Sequence, residues 1–243
     1  RMRYEPAGPG QWRQYGTAPD GVVDLVTYDQ EADIAELTEK LVDGFDLTTG
    51  PLMRAALCRF GGARRPVLLL AAHHLVVDAV SWRLIVEDFE SACQALRAGG
   101  PVALGSKSTS FRTWARRLAE HTRAGGFDDE LAYWSDLTPA PLPADRDGAN
   151  TAATEQTLTA GLDAEETRAL LQDVPQVYRT RVNDVLLCAL GRVLARWTGR
   201  DRVTVALEGH GREELLDGVD LTRTVGWFTA MYPVALAVPQ DAD

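Results

Sequence analysis

The chain is poor in the features that mark membrane, secreted and metal-binding proteins. Its 243 residues include only three cysteines, Cys58, Cys93 and Cys188, which lie far apart among apolar neighbours. An odd number of widely spaced cysteines predicts reduced core thiols rather than disulfides, and this indicates a cytoplasmic location. No apolar run approaches the roughly 18 residues that a membrane span needs. The sequence therefore predicts no membrane association.

Positive charge is also scarce. The formal net charge is −10, and no run of basic residues occurs anywhere in the chain. A protein that binds nucleic acid needs basic side chains to neutralise phosphates, so nucleic acid is excluded as a partner. The hydrophobic fraction of 45% is ordinary for a globular chain, and the length allows one large domain or two small ones.

Metal-ligand spacings are missing as well. The sequence has no HExxH or CxxC pattern. Two adjacent histidines, His73 and His74, follow an apolar run, but neighbouring residues on an extended segment point to opposite sides. We therefore do not predict that they share one metal ion, although His210 and nearby carboxylates are potential ligands.

Hydrophobic periodicity predicts strands that alternate with helices. This order favours an α/β sandwich. A proline-rich polar stretch at 138–153 indicates a connection between two lobes, with the linker itself at 144–153. Asp78 or Ser81 is the predicted cap of the helix over 81–100, Asp163 with Glu166 resembles a capping box, and Asn183 is the predicted cap of a later helix. The predicted helices cover 30–43, 81–100, 111–126, the region around 128–137 and 182–199, and the predicted strands cover 51–60, 65–72, 154–162 and the start of 202–213.

Three polar clusters follow or adjoin predicted strands. They are HHLVVDAVSW at 73–82, EGHGRE at 208–213 and RTVGWFTAMYP at 223–233. Polar groups at strand ends of an α/β architecture commonly face a cleft. These clusters are therefore the candidate functional residues.

Each cluster also has a purely structural interpretation. Asp78, four residues after His74, either orients an imidazole tautomer or simply caps the following helix, and the residues alone leave both open. In EGHGRE, two glycines suit a tight turn, and a surface ion pair between Glu208 and Arg212 is the favoured interpretation on residues alone. We interpret Trp82, Trp227 and Phe228 as core packing rather than ligand contacts.

Taken together, the three clusters resemble the motif series of epimerization domains from nonribosomal peptide synthetases, in the condensation-domain superfamily. The stretches FDLTTGPLMRAAL and VNDVLLCALGRVLARWTG are also similar to that family. One departure is Ala79, where many relatives have a glycine after the motif aspartate. HHxxxD alone indicates only the wider superfamily, whereas VSW, EGHGRE and RTVGWFT are typical of epimerization.

The resemblance implies a chloramphenicol-acetyltransferase-like fold, a pseudodimer of two lobes. Residues 1–143 are expected to form the N-terminal lobe without its first strand and helix, and 154–243 the first part of the C-terminal lobe. The fold is thus expected to be incomplete at both ends.

The resemblance further implies epimerization at Cα of an L-aminoacyl or peptidyl thioester. The substrate is expected on the 4'-phosphopantetheine of an upstream peptidyl carrier domain, with no cofactor of the chain's own, and other modules of the same synthetase are expected partners. The implied catalytic residues are His74 and Glu208, and the implied supporting residues are His73, Asp78, His210, Arg212 and Tyr232.

Two mechanisms and two other functions stay open. His74 and Glu208 act as acid and base on opposite faces, or Glu208 makes both proton transfers while protonated His74 stabilises the enolate. Tyr232 is a further candidate proton donor, and Asp78 is expected to hold the motif loop through an arginine. The competing functions are a peptide-bond-forming condensation domain and a noncatalytic carrier-docking module.

Overall fold

A computed structural model describes residues 2–18, 23–29, 33–61, 64–137, 141–144, 146–149 and 151–238. The chain divides into two compact units. The first comprises the residues up to Arg123 together with His210–Thr229, and the second comprises Ala124–Gly209 together with the residues from Ala230. The segment His210–Thr229 is therefore an excursion from the second unit that belongs to the first.

In the described residues, the first unit combines two small sheets with three α-helices. Strands β1 and β2 form an antiparallel hairpin, β3 pairs parallel with β4, and β4 pairs antiparallel with β5. In chain order the elements are β1 (Met2–Gly8), β2 (Gln11–Gly16), β3 (Asp24–Tyr28), α1 (Ile34–Asp43), β4 (Met53–Cys58), β5 (Val67–Ala72), α2 (Ala79–Arg97) and α3 (Phe111–Arg123).

A compact apolar cluster forms where α1 meets the three-stranded sheet. Leu37 of α1 packs with Cys58 and Phe60, and all three are buried. The helix starts where the Asp33 carboxylate accepts a hydrogen bond from Ala35 N at 2.8 Å, which satisfies one of the free N–H groups of the first turn. This packing fixes β4 and β5, and β5 leads directly to the two histidines.

Within its described residues the second unit is mainly helical, with one antiparallel strand pair, β6 with β7. In β6 and β7, Glu208 lies opposite Met231, and Gly209 lies opposite Ala230. The named elements are α4 (Leu131–Ser135), α5 (Ala164–Arg168), a π-helical turn (Ala169–Asp173), α6 (Val174–Tyr178), α7 (Val182–Thr198), β6 (Arg202–Gly209) and β7 (Ala230–Ala237), with short 3₁₀ turns at Asp128–Glu130 and Ala152–Thr154.

Most of the predicted elements are confirmed with shifted ends. The strand pair is β4 and β5, the predicted helices over 81–100 and 182–199 are α2 and α7, and the strand at 202 is β6. The Asp163 and Glu166 capping box is present, with hydrogen bonds of 2.8 and 2.9 Å. Residues 30–32 of the first predicted helix, and residues 145 and 150 of the predicted linker, lie outside the described residues.

Two predictions about local structure are wrong. Residues 155–162 form no strand in the described chain, and the side chain of Leu158 is 97% exposed. Alternating hydrophobicity marks a possible sheet face, but a strand also needs a partner to complete its hydrogen bonds. Asn183 is not the cap of α7 either, because the helix begins at Val182 and Arg181 N donates to Asp184 Oδ2 at 2.8 Å.

The cysteines are free thiols, but only one belongs to the core. Cys58 is fully buried in the cluster on α1, Cys93 is half-buried, and Cys188 is exposed on α7. The prediction of core thiols is therefore wrong for Cys188, because apolar neighbours in sequence do not ensure that a helix position is covered by other elements.

The compact units differ from the predicted lobes. The division falls at Arg123 and Ala124, whereas the predicted N-terminal lobe runs to 143, and the segment His210–Thr229 joins the first unit rather than the residues that flank it. Side-chain hydrogen bonds between this segment and α2, described below, account for the difference. The lobe boundaries implied by the resemblance stay a prediction.

We predict that Leu37→Ala lowers the free energy of unfolding by about 2 to 5 kcal/mol, because it leaves a cavity beside Cys58 and Phe60. Chemical denaturation followed by fluorescence measures this. Val42→Ala on the same helix is the matched control, since that side chain is 51% exposed and a loss within about 0.5 kcal/mol is expected. Equal losses in the two variants would contradict the assignment of this core.

Candidate functional site

The two histidines after β5 have different environments. His73 is half-buried, its Nδ1 accepts a hydrogen bond from Leu75 N at 3.2 Å, and its ring meets Phe45 edge-on at 5.9 Å between centroids. His74 begins a 3₁₀ turn, is exposed, and lies 5.3 Å from the ring of Trp227. His73 therefore holds the turn, while the ring of His74 is accessible to a ligand.

Tyr4 ties this turn to the first hairpin. Its hydroxyl donates to Leu75 O at 2.9 Å, and its side chain is buried. Burial raises the pKa of the Tyr4 phenol above its usual value, so it stays a hydrogen-bond donor at physiological pH. No local pattern along the chain indicates this contact, because the two residues are 71 positions apart.

The carboxylate of Asp78 is the hub of the first unit's polar site. It is 2% exposed and caps α2, with Oδ1 accepting from Ser81 N at 2.7 Å. Arg212 binds both carboxylate oxygens, at 2.6 and 3.0 Å, and Phe228 N donates to Oδ2 at 3.0 Å. A carboxylate has about four acceptor positions, and these four N–H groups fill them. The geometry thus shows Asp78 as a cap and anchor rather than as a partner of His74.

Burial and hydrogen bonding act in opposite directions on Asp78. Burial alone raises the pKa of the carboxyl, because it disfavours the charged form. The hydrogen bonds from Arg212, Ser81 and Phe228 outweigh burial and lower the pKa of Asp78 to about 2. The group is therefore ionised at physiological pH and is no candidate for proton transfer there.

Arg212 is buried with Asp78, and both of its terminal guanidinium nitrogens make structural hydrogen bonds. Its side chain is 7% exposed, and the guanidinium also donates to Ser81 Oγ at 3.1 Å and to Thr224 O at 3.2 Å. The guanidinium carbon lies 4.2 Å from the centre of the Phe228 ring. The predicted surface ion pair between Glu208 and Arg212 is wrong, since the carboxylate that Arg212 binds is the buried one of Asp78.

Ser81 binds the RTVGWF segment to the first turn of α2. Its hydroxyl donates to Gly226 O at 2.9 Å and accepts from Gly226 N at 3.0 Å, and the residue is fully buried. Only glycine fits at 226, because a Cβ there would stand 2.5 Å from Phe111 Cδ2. The predicted capping choice between Asp78 and Ser81 is thereby settled, since Asp78 caps the helix and Ser81 binds the segment.

Gly211 lets the EGHGRE turn reach this site. Its φ of +64° lies in the left-handed region, and a Cβ would stand 1.7 Å from Phe228 O. The preceding residue, His210, is exposed, and its Nδ1 accepts from Arg212 N at 3.0 Å. Because Nδ1 is an acceptor here, the approach of Glu213 to the same atom at 3.7 Å is not an ion pair. His210 thus shapes the turn.

Glu208 and Tyr232 belong to the second unit. Glu208 is exposed near the end of β6, and Tyr232 is 38% exposed on β7 opposite Leu207. A Cβ at Gly209 would stand 3.1 Å from Tyr232 Cε1, so this glycine allows the phenol ring to lie close to the backbone of β6. Both side chains are accessible to a ligand.

The three aromatic residues predicted to pack in the core differ in their burial. Phe228 is 3% exposed and packs against Phe111 and Trp114, at 5.0 and 4.8 Å between ring centroids. Trp82 is half-buried. The prediction of core packing is wrong for Trp227, which is 41% exposed beside His74.

Neither a metal-binding cluster nor a membrane-spanning helix occurs in the described residues. Within these parts of the chain, no group of three or more histidine, cysteine, aspartate or glutamate side chains is placed to hold a metal ion. No helix within the described ranges has the length and apolar character needed to cross a bilayer.

Comparison with known proteins decides the family. Residues 21–243 match the condensation domain family. The chain belongs to the condensation-domain family. One of the linear gramicidin synthase proteins of Brevibacillus parabrevis is 44% identical over 251 residues, which cover 98% of this chain and 3% of that protein. The predicted membership in this superfamily of nonribosomal peptide synthetases is confirmed.

Solved structures of condensation-family domains share the fold. The epimerization domain from the third module of tyrocidine synthetase B has a TM-score of 0.88 and 35% identity, covering 100% of this chain and 57% of that one. The first condensation domain of the CDA synthetase has a TM-score of 0.72 and 22% identity, with 99% and 58% covered. The predicted chloramphenicol-acetyltransferase-like α/β fold class is confirmed. The chain spans more than half of each solved chain and a few per cent of the curated synthase.

We predict that Asp78→Asn lowers the free energy of unfolding of this condensation-family domain by roughly 3 to 5 kcal/mol above pH 4, because it leaves the Arg212 charge buried without its partner. The pKa of Asp78 is lowered on folding, so its stabilisation is complete above the unfolded pKa near 4 and is lost as the pH falls towards about 2. Denaturation of both proteins between pH 7 and pH 2 measures the gap, which should narrow below pH 4.

Asp88→Asn is the matched control for that prediction. Asp88 pairs with Arg223, and the two side chains are 37% and 38% exposed, so a loss of at most about 1 kcal/mol is expected. A gap between wild type and Asp78→Asn that stays constant from pH 7 to pH 2 would be inconsistent with the ion pair described.

We predict that Gly211→Ala is more destabilising than Gly218→Ala. Both glycines have positive φ, +64° and +69°, but only at Gly211 does a Cβ meet backbone atoms. The shared conformational cost is about 1 to 2 kcal/mol, and the clash with Phe228 O adds roughly 1 to 3 kcal/mol. Thermal or chemical denaturation compares the two variants. Equal losses in the free energy of unfolding would contradict the close approach of Gly211 to Phe228.

Proposed function

We propose that the chain forms part of an epimerization domain, which inverts Cα of an aminoacyl or peptidyl thioester held on a carrier domain. The observation that carries this proposal is the likeness to the tyrocidine synthetase epimerization domain, at a TM-score of 0.88 and 35% identity. The condensation domain of the CDA synthetase is more distant, at 0.72 and 22%. The VSW, EGHGRE and RTVGWFT stretches support the same choice.

The reaction removes the proton from Cα and returns a proton on the opposite face. No atom is gained or lost, and only the configuration changes. The thioester carbonyl acidifies the Cα–H bond, yet that bond remains a weak acid, so a positioned base and stabilisation of the enolate oxygen are both needed. A carboxylate and an imidazole are groups of the required types.

We assign removal of the proton from the L substrate to Glu208. The exposure of its side chain near the end of β6 supports this role, because a base must reach a ligand. Asp78, another carboxylate in the motif series, is ruled out as the base by its four hydrogen bonds and its pKa of about 2.

His74 is assigned to the second half of the reaction. Its ring is exposed on a short turn that His73 and Tyr4 hold in place. In one version the imidazolium returns the proton on the opposite face, and in the other it stabilises the enolate while Glu208 makes both transfers. Tyr232 is the further donor in this proposal, and His210 and Arg212 support the turn after Glu208.

The substrate is proposed to arrive on a 4'-phosphopantetheine arm of an upstream peptidyl carrier domain. Condensation and epimerization domains use no cofactor of their own, and their substrates are carried on carrier domains. The other modules of the same synthetase are the remaining proposed partners, which agrees with relatives that are parts of large synthases.

The alternative function is peptide-bond formation by a condensation domain. The family match and the likeness to the CDA synthetase domain favour it. In that case His74 assists an amine that attacks the thioester, and Glu208 has no assigned role. A noncatalytic docking module is the third candidate, and the presence of both His74 and Glu208 at the motif positions argues against it.

We predict that the full-length protein, with its carrier domain loaded with an L-aminoacyl or peptidyl thioester in D₂O, takes up deuterium at Cα and yields a mixture of L and D acid. Glu208→Gln and His74→Ala each lower uptake by about 100-fold or more, because each removes either a proton-transfer group or the group that stabilises the enolate. Mass spectrometry measures uptake, and chiral chromatography of the released acid measures configuration.

Glu155→Gln is the matched control, since it makes the same change at another exposed glutamate of the second unit and should leave uptake unchanged. Undiminished uptake in Glu208→Gln would overturn both versions of the mechanism. If the wild-type protein takes up no deuterium, addition of a downstream aminoacyl acceptor tests the alternative, and formation of the amide would replace epimerization by condensation.

A further inference from the structure

The ring of His74 has an aromatic neighbour that belongs to the excursion. Trp227 lies 5.3 Å from the imidazole, with the ring planes inclined at 59°. In the described parts of the chain this ring contact is the side-chain interaction found for His74. His73 differs, because a hydrogen bond at Nδ1 and the edge of Phe45 fix its ring.

Trp227 is held by the residues on either side of it. On one side, Gly226 gives both its N–H and its C=O to the hydroxyl of Ser81. On the other side, Phe228 N donates to Asp78, and the Phe228 ring is packed in the core. The backbone of Trp227 is thus anchored on both sides to residues at the start of α2.

The same helix start lies directly after the His74 turn. Asp78 caps α2 and follows His74 by four residues. The start of α2 therefore fixes the backbone at both His74 and Trp227. Despite its anchored backbone, the indole is 41% exposed and contributes little to the core. An exposed tryptophan on a fixed backbone, with its ring against an accessible imidazole, is not explained by packing alone.

We propose that Trp227 is a positioning residue, whose indole holds the His74 ring in one orientation so that one ring nitrogen faces the substrate. An aromatic pair restricts the tilt of the smaller ring, and the pinned backbone stops the indole from following it. This inference deepens the proposed function and rests on His74 acting on the substrate.

The test replaces Trp227 with Ala, Leu and Phe in the full-length protein and measures the rate of deuterium uptake at Cα. Trp227→Ala is expected to lower the rate on the order of ten-fold, since a freely turning imidazole is misplaced most of the time. Trp227→Phe restores most of the rate because it keeps a flat face, and Trp227→Leu does not. Trp12→Ala, at a tryptophan that is 58% exposed, is the matched control and leaves the rate unchanged.

A second readout does not depend on activity. Diethyl pyrocarbonate modifies imidazoles, and peptide mass spectrometry gives the rate at each histidine. Trp227→Ala and Trp227→Leu are expected to increase the modification rate of His74 about three-fold or more, whereas Trp227→Phe changes it little. His73 is the internal control, since its own hydrogen bond and Phe45 hold it in every variant.

The outcomes separate this inference from the proposed function. If Glu208→Gln and His74→Ala abolish uptake but Trp227→Ala and Trp227→Leu leave it unchanged, the positioning role is overturned and epimerization stands. If His74→Ala retains full uptake, the catalytic assignment of His74 fails and the positioning role of Trp227 fails with it, whereas loss of uptake in Glu208→Gln would still support epimerization. Equal modification of His74 in wild type, Trp227→Ala and Trp227→Leu would overturn the contact itself.

Discussion

The structure of the first unit depends on the buried carboxylate of Asp78. Asp78 lies almost wholly out of water, and a carboxylate in that position is tolerated only when hydrogen bonds replace its hydration. The replacements come from the start of α2, from Arg212 and from the backbone of Phe228. One ion thereby holds together a helix end and two stretches of the excursion. The residue types at Ser81, Gly211 and Gly226 are restricted for the same reason, because each lets a chain segment come close enough to reach the Asp78 carboxylate or its neighbours.

Local patterns account for the parts of the fold that the sequence predicted correctly. The strand pair β4 and β5, the long helices α2 and α7 and the capping box at Asp163 are all set by residues close together in the chain. The false strand over 154–162 shows the limit of that information, since alternation describes one strand and not its partner. The predicted cap of α7, Asn183, is two residues away from the observed one. The Asp184 carboxylate accepts a hydrogen bond from Arg181 N, so the helix start lies at Arg181.

The candidate site could be predicted only in part from the sequence. The types and the strand-end positions pointed to His74, Asp78 and Glu208, but the partner of Arg212 did not follow from its neighbours. A nearby glutamate was the obvious choice, whereas the observed partner lies 134 residues away. Burial could not be predicted from the sequence either. Phe228 and Trp227 are adjacent and aromatic, yet Phe228 is 3% exposed and Trp227 is 41% exposed. Such differences arise from tertiary contacts, which no window along the chain contains.

The separation between Asp78 and Arg212 also sets an order of events during synthesis. A ribosome adds roughly 5 to 20 residues per second, so on the order of ten seconds pass between the two residues. In that interval α2 and the three-stranded sheet can form, but the Asp78 carboxylate has no guanidinium to bind, and Ser81 has no Gly226 to bind. The nascent first unit therefore waits with its polar site hydrated and open. It closes only after most of the second unit has been made, so the excursion is the last part of the first unit to fold.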